Sequence, residues 1–198
     1  MNILTILAHP NPGSFNHALA HAARDALVGA GHTVTLRDLH AEGFDPLLPF
    51  EEIPKHGKVD PVVMEHCTEL AEAEGVVIVH PNWWGMPPAI LTGWVDRVVR
   101  PGVAYEFLEN DAGDGVPNGL LKAKTALVLN TSDTYPERER EVFGDPLERI
   151  WRDCIFDLCG ISDFRRHTFT PVVTSTLGER REWLKLAGEL AAQAFPVS

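Results

Sequence analysis

The chain has 198 residues, 44% apolar and 23% charged, with a formal net charge of −11. That length suits one well-filled domain, here residues 1–198, and the composition is that of an ordinary globular protein. The acidic balance excludes a general nucleic-acid surface, which needs clustered Lys and Arg, but not a small phosphorylated ligand held by backbone N–H groups.

Hydrophobic runs alternate with helical periodicity from the start of the chain. Residues 2–8 read as a first strand, and residues 15–30 as a helix with Ser14 as N-cap and Gly31 just past its end. A second strand is expected at 33–38. Residues 40–60, rich in Pro, Gly and charge, read as a surface excursion. Asp60-Pro61 supplies an N-cap and a first helical position for the next helix. The β-branched run at 75–80 is a third strand. The helix that follows sets Ile90, Leu91, Trp94, Val95 and Val98 on one face. Residues 109–119 form a second polar excursion, and 125–130 a fourth strand. Asp145-Pro146 repeats the N-cap signature before a helix lined by Leu147, Ile150, Trp151, Cys154, Ile155 and Leu158. A fifth strand falls near 164–170. The last helix, 179–194, packs with Trp183, Leu184, Ala187, Leu190 and Ala191. Five strands interleaved with helices predict a three-layer α/β fold with a parallel sheet.

No apolar run reaches the roughly 18–20 residues of a membrane helix. Residues 1–7 lack a basic leader region and a cleavage site, so a cytoplasmic protein is expected. Cys67, Cys154 and Cys159 are odd in number and hold no CxxC pair. Neither a disulfide framework nor a metal site is predicted.

Ligands of such sheets bind outside the carboxyl ends of the strands. Three loops leave those ends. The first, His9-Pro-Asn-Pro-Gly-Ser-Phe-Asn16, ends at a helix N-terminus. Unpaired N–H groups there favour an anion, with Ser14, Asn16 and His9 as added donors. Plain capping by Ser14 explains the loop equally well. It has no Walker lysine. Gly29 and Gly31 follow a helix and lead to Val34, so no Gly-x-Gly-x-x-Gly is present either. A nucleoside triphosphatase and a Rossmann dehydrogenase are disfavoured. The second loop runs Pro81-Asn-Trp-Trp-Gly-Met-Pro-Pro88. Adjacent tryptophans suit a loop that presents aromatic edges and backbone N–H groups to a flat heterocycle. One of Trp83 and Trp84 is allowed a place in the core. The third, Asn130-Thr-Ser-Asp-Thr-Tyr135, offers donors and acceptors to a ring's polar edge, or a simple Ser/Thr turn.

Together these loops resemble the flavodoxin-like NAD(P)H:quinone oxidoreductases. His9 with Ser14-Phe15-Asn16 is similar to the family's phosphate or pyrophosphate loop. The run from Pro81 to Val98, which includes Trp83, Trp84, Gly85, Met86 and Gly93-Trp94, is similar to its long central motif. There a Pro-x-x-Trp loop contacts the isoalloxazine. Gly102-Val-Ala-Tyr-Glu-Phe107 is similar to its Gly-Phe-Ala-Tyr element. The resemblance covers nearly the whole chain. Two departures stand out. Where members often carry Thr-Thr-Gly-Gly, this chain reads Asn130-Thr131-Ser132-Asp133. Where some carry a His before a Gly-Asp pair, this chain has Phe143 before Gly144-Asp145.

The resemblance implies a three-layer flavodoxin-like fold and a bound flavin, FMN or FAD, with FMN preferred for so short a chain. It implies hydride transfer from NAD(P)H through the flavin to a quinone or similar electrophile, and a homodimer whose partner lines part of the pocket. His9, Ser14, Phe15, Asn16, Pro81, Asn82, Trp83, Trp84, Gly85 and Met86 become cofactor-binding candidates. Asn130, Thr131, Ser132 and Asp133 join them. Donors from Thr131 and Ser132, or their backbone N–H groups, would face the reduced ring, with Asp133 capping a turn or meeting the ring N3–H. Tyr135 is a candidate catalytic residue and Tyr105 a candidate pocket wall. The alternatives are a flavodoxin-like electron carrier, a flavin-binding regulatory subunit of a transporter, or an unrelated α/β domain with a structural tryptophan loop.

Overall fold

Strict alternation along three strands decides the layers. In β1 (Asn2–Leu7), Ile3 and Leu7 point to one face of the sheet, and Leu4 and Ile6 to the other. β3 (Gly75–Pro81) divides Val77 and Val79 from Val76 and Ile78, and β6 (Thr125–Thr131) divides Leu127 and Leu129 from Ala126 and Val128. Burial on both faces is what a parallel sheet covered by helices requires. The computed structural model describes residues 1–54, 56–107 and 117–197.

With β2 (Thr33–Asp38) and β7 (Asp163–Phe169), these strands form one parallel sheet in the order β2-β1-β3-β6-β7. This is the expected five-stranded flavodoxin-like arrangement. α1 (Phe15–Gly29) and α6 (Leu177–Ala194) cover one face through Leu19, Ala23, Leu27, Ala187 and Ala191. α2 (Pro61–Glu72) and α3 (Ala89–Val98) cover the other through Val63, Leu70, Leu91, Trp94 and Val98. β4 (Tyr105–Glu106) and β5 (Asn118–Gly119) make a small antiparallel ribbon. Among the described residues no helix is long and apolar enough to cross a membrane.

Helix signals act locally as expected at several ends. Asp60 Oδ1 accepts from the Val62 N–H at 2.8 Å. Gly31, at φ 91°, closes α1: its N–H donates to the Val28 carbonyl, and the His32 N–H to the Leu27 carbonyl.

Elsewhere the structure corrects the expectations. Residues 40–60 are not a plain surface excursion. Phe44 and Glu52 are buried, and a 3-10 turn at Phe50–Glu52 carries Glu52 onto Arg97 of α3 with contacts of 3.0 and 2.6 Å. α6 begins at Leu177, two residues early, because Thr176 and Glu179 form a reciprocal capping box. α4 (Pro136–Glu141) was hidden because its sequence has no apolar stripe and it buries no residue. The helix after Asp145 is the largest departure. Asp145 sits at φ 47° and makes no side-chain cap; its carboxylate pairs with Arg166 instead. α5 (Pro146–Arg149) runs into a π-helical segment, Ile150–Phe156. The wider turn rotates the buried face, so that Leu147, Trp151, Phe156 and Cys159 point inward while Cys154 is exposed. Most of the predicted polar excursion at 109–119 lies outside the described residues.

Candidate active site

β1 and β3 are neighbours, but the chain crosses from β1 to β2 on one side and from β3 to β6 on the other. Loops leaving such a switch point part and open a crevice beyond the strand ends. All three predicted loops converge there.

In the first loop, Asn11 organises the turn. Its Oδ1 accepts from the Gly13 N–H at 2.9 Å, and its carbonyl from the Ser14 N–H at 3.0 Å. Ser14 Oγ accepts from the His17 N–H at 3.4 Å and so caps α1. Among the described residues, no acceptor faces the N–H groups of Phe15 and Asn16. They are the orphan donors of a first helical turn, aimed where an anion would bind. His9 Nδ1 accepts from the Asn11 N–H at 3.1 Å. Burial lowers the His9 pKa, and its neutral ring therefore carries its proton on Nε2 as a further donor.

The second loop is a tight hairpin. The Trp83 N–H donates to the Met86 carbonyl at 3.2 Å, and the Met86 N–H to the Trp83 carbonyl at 3.0 Å. The two central residues, Trp84 and Gly85, have φ of 60° and 74°. These are the signs of a type I′ turn, which favours Gly and Asn and penalises a tryptophan. Asn82 Oδ1 holds the Gly85 N–H at 2.9 Å. A Cβ on Gly85 would lie 2.7 Å from Pro146 Cγ. Trp84 is consequently 94% exposed and Trp83 44%. Neither enters the core, contrary to the place allowed for one of them, because the turn throws both side chains outward. Trp94 and Trp151 fill the core instead.

The third loop is more committed than its composition suggests. Asn130 is fully buried: its Nδ2 donates to His80 Nε2 at 2.9 Å, so its side chain faces inward rather than into the cleft. Thr131 Oγ1 accepts from Asn16 Nδ2 at 2.9 Å and ties β6 to α1. The Ser132 N–H is taken by the Phe169 carbonyl, which removes it as a donor to a ring. Ser132 Oγ accepts from the Thr134 N–H, and Asp133 Oδ1 from the Val173 N–H at 2.7 Å.

Two adjoining cavities result. The larger, about 450 Å³, is walled by Trp84, Gly85, Glu139, Phe143 and Pro146. The smaller, about 210 Å³, is walled by His9, Phe15, Asn16, Pro81, Trp83 and Thr131. Asn82, Ser132 and Asp133 line both. Tyr135 is 62% exposed and lines neither, and Tyr105 stands away in β4 beside Phe107. Met86 closes the hairpin and is exposed.

Sequence reasoning missed His80, Glu139 and Pro146. Glu139 Oε1 accepts from Asn82 Nδ2 at 3.1 Å, and Pro146 backs Gly85. His80 lies beneath the loops, fully buried. Its Nδ1–H donates to the Pro81 carbonyl at 2.8 Å, and its Nε2 accepts from Asn130 Nδ2 and from Trp151 Nε1 at 3.0 Å. Burial lowers its pKa to about 4, so the ring is neutral. In the sequence Pro146 reads as a helix start. Glu139 and His80 carried no local signal.

A doubly wound parallel sheet with an open crevice at its β1/β3 switch point defines the class: a three-layer α/β protein with its cleft at the carboxyl ends of the strands. The chain belongs to the flavodoxin-like fold family, whose family model matches residues 1–186. It is 30% identical over 193 residues to an "Uncharacterized NAD(P)H oxidoreductase" of Haemophilus influenzae, covering 96% of this chain and 93% of that protein. An NAD(P)H:quinone oxidoreductase from Methanothermobacter marburgensis shares the fold at a TM-score of 0.84 and 23% identity, covering 100% of this chain and 99% of that one. An FMN-dependent NADH-azoreductase from Bacillus anthracis, solved in complex with FMN, matches at a TM-score of 0.72 and 15% identity, covering 98% and 99%. The chain is an oxidoreductase enzyme.

Proposed function

We propose that the chain binds a flavin, FMN in preference to FAD, and uses it to pass a hydride from NAD(P)H to a quinone or similar electrophile. The observation that carries this reading is the convergence, at one switch point, of orphan helix N–H groups and an exposed tryptophan hairpin. The smaller cavity would take the phosphate, on the N–H groups of Phe15 and Asn16 with His9 Nε2–H beside them. The hairpin of Trp83 and Trp84 would flank the ring, with Asn82, Ser132 and Asp133 between ring and phosphate. A flavin supplies two-electron chemistry, accepting hydride from a nicotinamide and giving it to the acceptor, while the protein supplies position and electrostatics.

The residues fit such a group. The donors where a phosphate would lie are neutral N–H groups, with the one carboxylate of that cavity, Asp133, engaged by the Val173 N–H, and the larger cavity is open and aromatic-walled where a ring face needs access. Thr131 is spent on Asn16 and the Ser132 N–H on Phe169, so the Ser132 hydroxyl is the remaining donor of that pair for charge developing on the ring. Phe143 stands in the larger cavity, and among the described residues no histidine lines it to move a proton. Tyr105 lies outside the cleft of its own chain, consistent with a homodimer in which a second copy completes the pocket.

The test is an absorbance spectrum of the purified protein, acid release and chromatography of its flavin, then anaerobic mixing with NADPH and NADH. Bleaching of the flavin band followed by recovery on adding a quinone is the expected result. A flavin that does not bleach would leave an electron carrier or regulatory module. A colourless protein that takes up no added flavin would end this reading.

A further inference from the structure

Ser14, His17 and Asp38 form a continuous hydrogen-bonded chain beside the orphan N–H groups of Phe15 and Asn16. Ser14 Oγ lies 2.8 Å from His17 Nδ1, and His17 Nε2 lies 2.9 Å from Asp38 Oδ2. The other Asp38 oxygen accepts from the N–H groups of His40 and Ala41, both at 3.2 Å. The chain thus links the first turn of α1 to the end of β2. Capping α1 requires only the Ser14 oxygen, so the cap does not account for the histidine and aspartate behind it.

Proton positions follow from the partners. An ionised carboxylate only accepts, so the His17 nitrogen facing Asp38 carries a proton in either charge state of the ring. With His17 neutral, Nδ1 holds a lone pair and takes the Ser14 hydroxyl hydrogen. Ser14 then turns only lone pairs outward, which an anion avoids. With His17 doubly protonated, Nδ1–H donates to Ser14 Oγ and the hydroxyl hydrogen is released to a third partner.

We propose that His17, oriented by Asp38, is a positioning residue that turns Ser14 into a donor when a phosphate group binds at the start of α1. Binding of the phosphate and uptake of a proton by His17 are then linked events. This rests on the phosphate reading of the first loop. Of the charged and titratable neighbours, Asp38 favours a protonated ring, and His9 and His40 oppose one only when they are charged themselves. Asp38 faces the ring from β2, and His9 faces it from the β1–α1 loop with ring centroids 6.3 Å apart. His40, on the connection after β2, is felt by His9, and the first turn of α1 carries no acidic residue. A phosphate dianion would bring a second negative charge to the opposite side of the His17 ring from Asp38, and two anions favour the charged ring between them.

The test uses nitrogen NMR of the histidine rings in the flavin-free protein, titrated with inorganic phosphate near neutral pH. His17→Gln identifies the His17 signals and removes the ring while leaving the Ser14 cap. In the wild type, phosphate is expected to move both His17 nitrogens toward their doubly protonated shifts. Near neutral pH, H17Q should bind phosphate several-fold more weakly than the wild type. Ser14→Thr should retain the binding and Ser14→Ala weaken it. If the Phe15 and Asn16 amides shift while His17 does not, the linkage is wrong and the phosphate site stands. If neither shifts, the phosphate reading of the loop falls and the linkage with it.

Discussion

Trp84 is held against its own preference. A non-glycine residue at positive φ costs roughly 1–2 kcal/mol, and here the residue is a tryptophan with almost no packing to offset it. Strain that persists on an exposed residue beside a cleft points to use of the side chain. Trp84→Gly should raise the unfolding free energy by about 1 kcal/mol, relieving the backbone. The same change should weaken flavin or acceptor binding by removing a wall of the larger cavity. Thermal melts together with a flavin titration measure both, and a loss of stability in W84G would show the turn to be unstrained. Gly85 is its complement: φ 74° and the approach of Pro146 leave no room for a side chain.

Two elements carry costs that local pattern could not reveal. The π-helical segment assigns burial to Phe156 and exposure to Cys154, where a 3.6-residue period assigns the reverse. Phe156→Ala should therefore destabilise the protein by about 3–5 kcal/mol, and Cys154→Ala by less than about 0.5 kcal/mol. Chemical denaturation of the two variants reads the register of that helix directly. The 3-10 turn at Phe50–Glu52 is pinned by the buried pair of Glu52 and Arg97, and Arg97 holds the Glu52 carboxyl below its ordinary pKa. Glu52→Ala strands a buried guanidinium and should cost about 3 kcal/mol. A near-neutral result in the same denaturation experiment would make the turn a mere surface segment after all.

Across the sheet, His80 joins β3 to β6 through Asn130 and to the π-helical segment through Trp151, and Arg166 of β7 pairs with Asp145 and Glu148 on the same side. The ring is neutral in the folded protein, with burial holding its pKa at about 4. The unfolded chain binds that proton first, near pH 6.5. Stability should thus fall as pH drops from about 6.5 toward 4, by on the order of 3 kcal/mol, and be unaffected by His80 above that window. His80→Gln keeps an acceptor and cannot titrate, so its denaturant midpoint should fall less steeply over the same range. Parallel curves for wild type and H80Q would refute this role. The exposed Trp84, Met86, Phe107 and Phe143 should be partly covered in a homodimer, giving about twice the 21.9 kDa chain mass by sedimentation equilibrium. A monomer at micromolar concentration would count against the completed pocket.

The fold was legible because its signals are local. The β-branched run from Val76 to Val79, the Asp60-Pro61 start and Gly31 at a helix end each act within a few residues, and a parallel sheet with covering helices follows from their order. The candidate site was legible as three loops, and the pairing of Ser-Phe-Asn with the tryptophan loop is what led to the ligand class proposed for it. What each side chain does there was decided by contacts between distant segments. Asn130 has the same composition whether it faces a ring or a buried histidine, and only the docking of β6 against β3 beneath Trp151 turns it inward. The Thr176–Glu179 capping box is a local Thr-x-x-Glu signal and is readable in the sequence. The π-helical offset and the burial of Glu52 were not readable, because hydrogen-bond register and ion pairing across the fold carry no short-range pattern. Hydrophobic periodicity specifies which elements form and which faces they bury. The donors left free for a ligand remain only after the tertiary structure has consumed the rest.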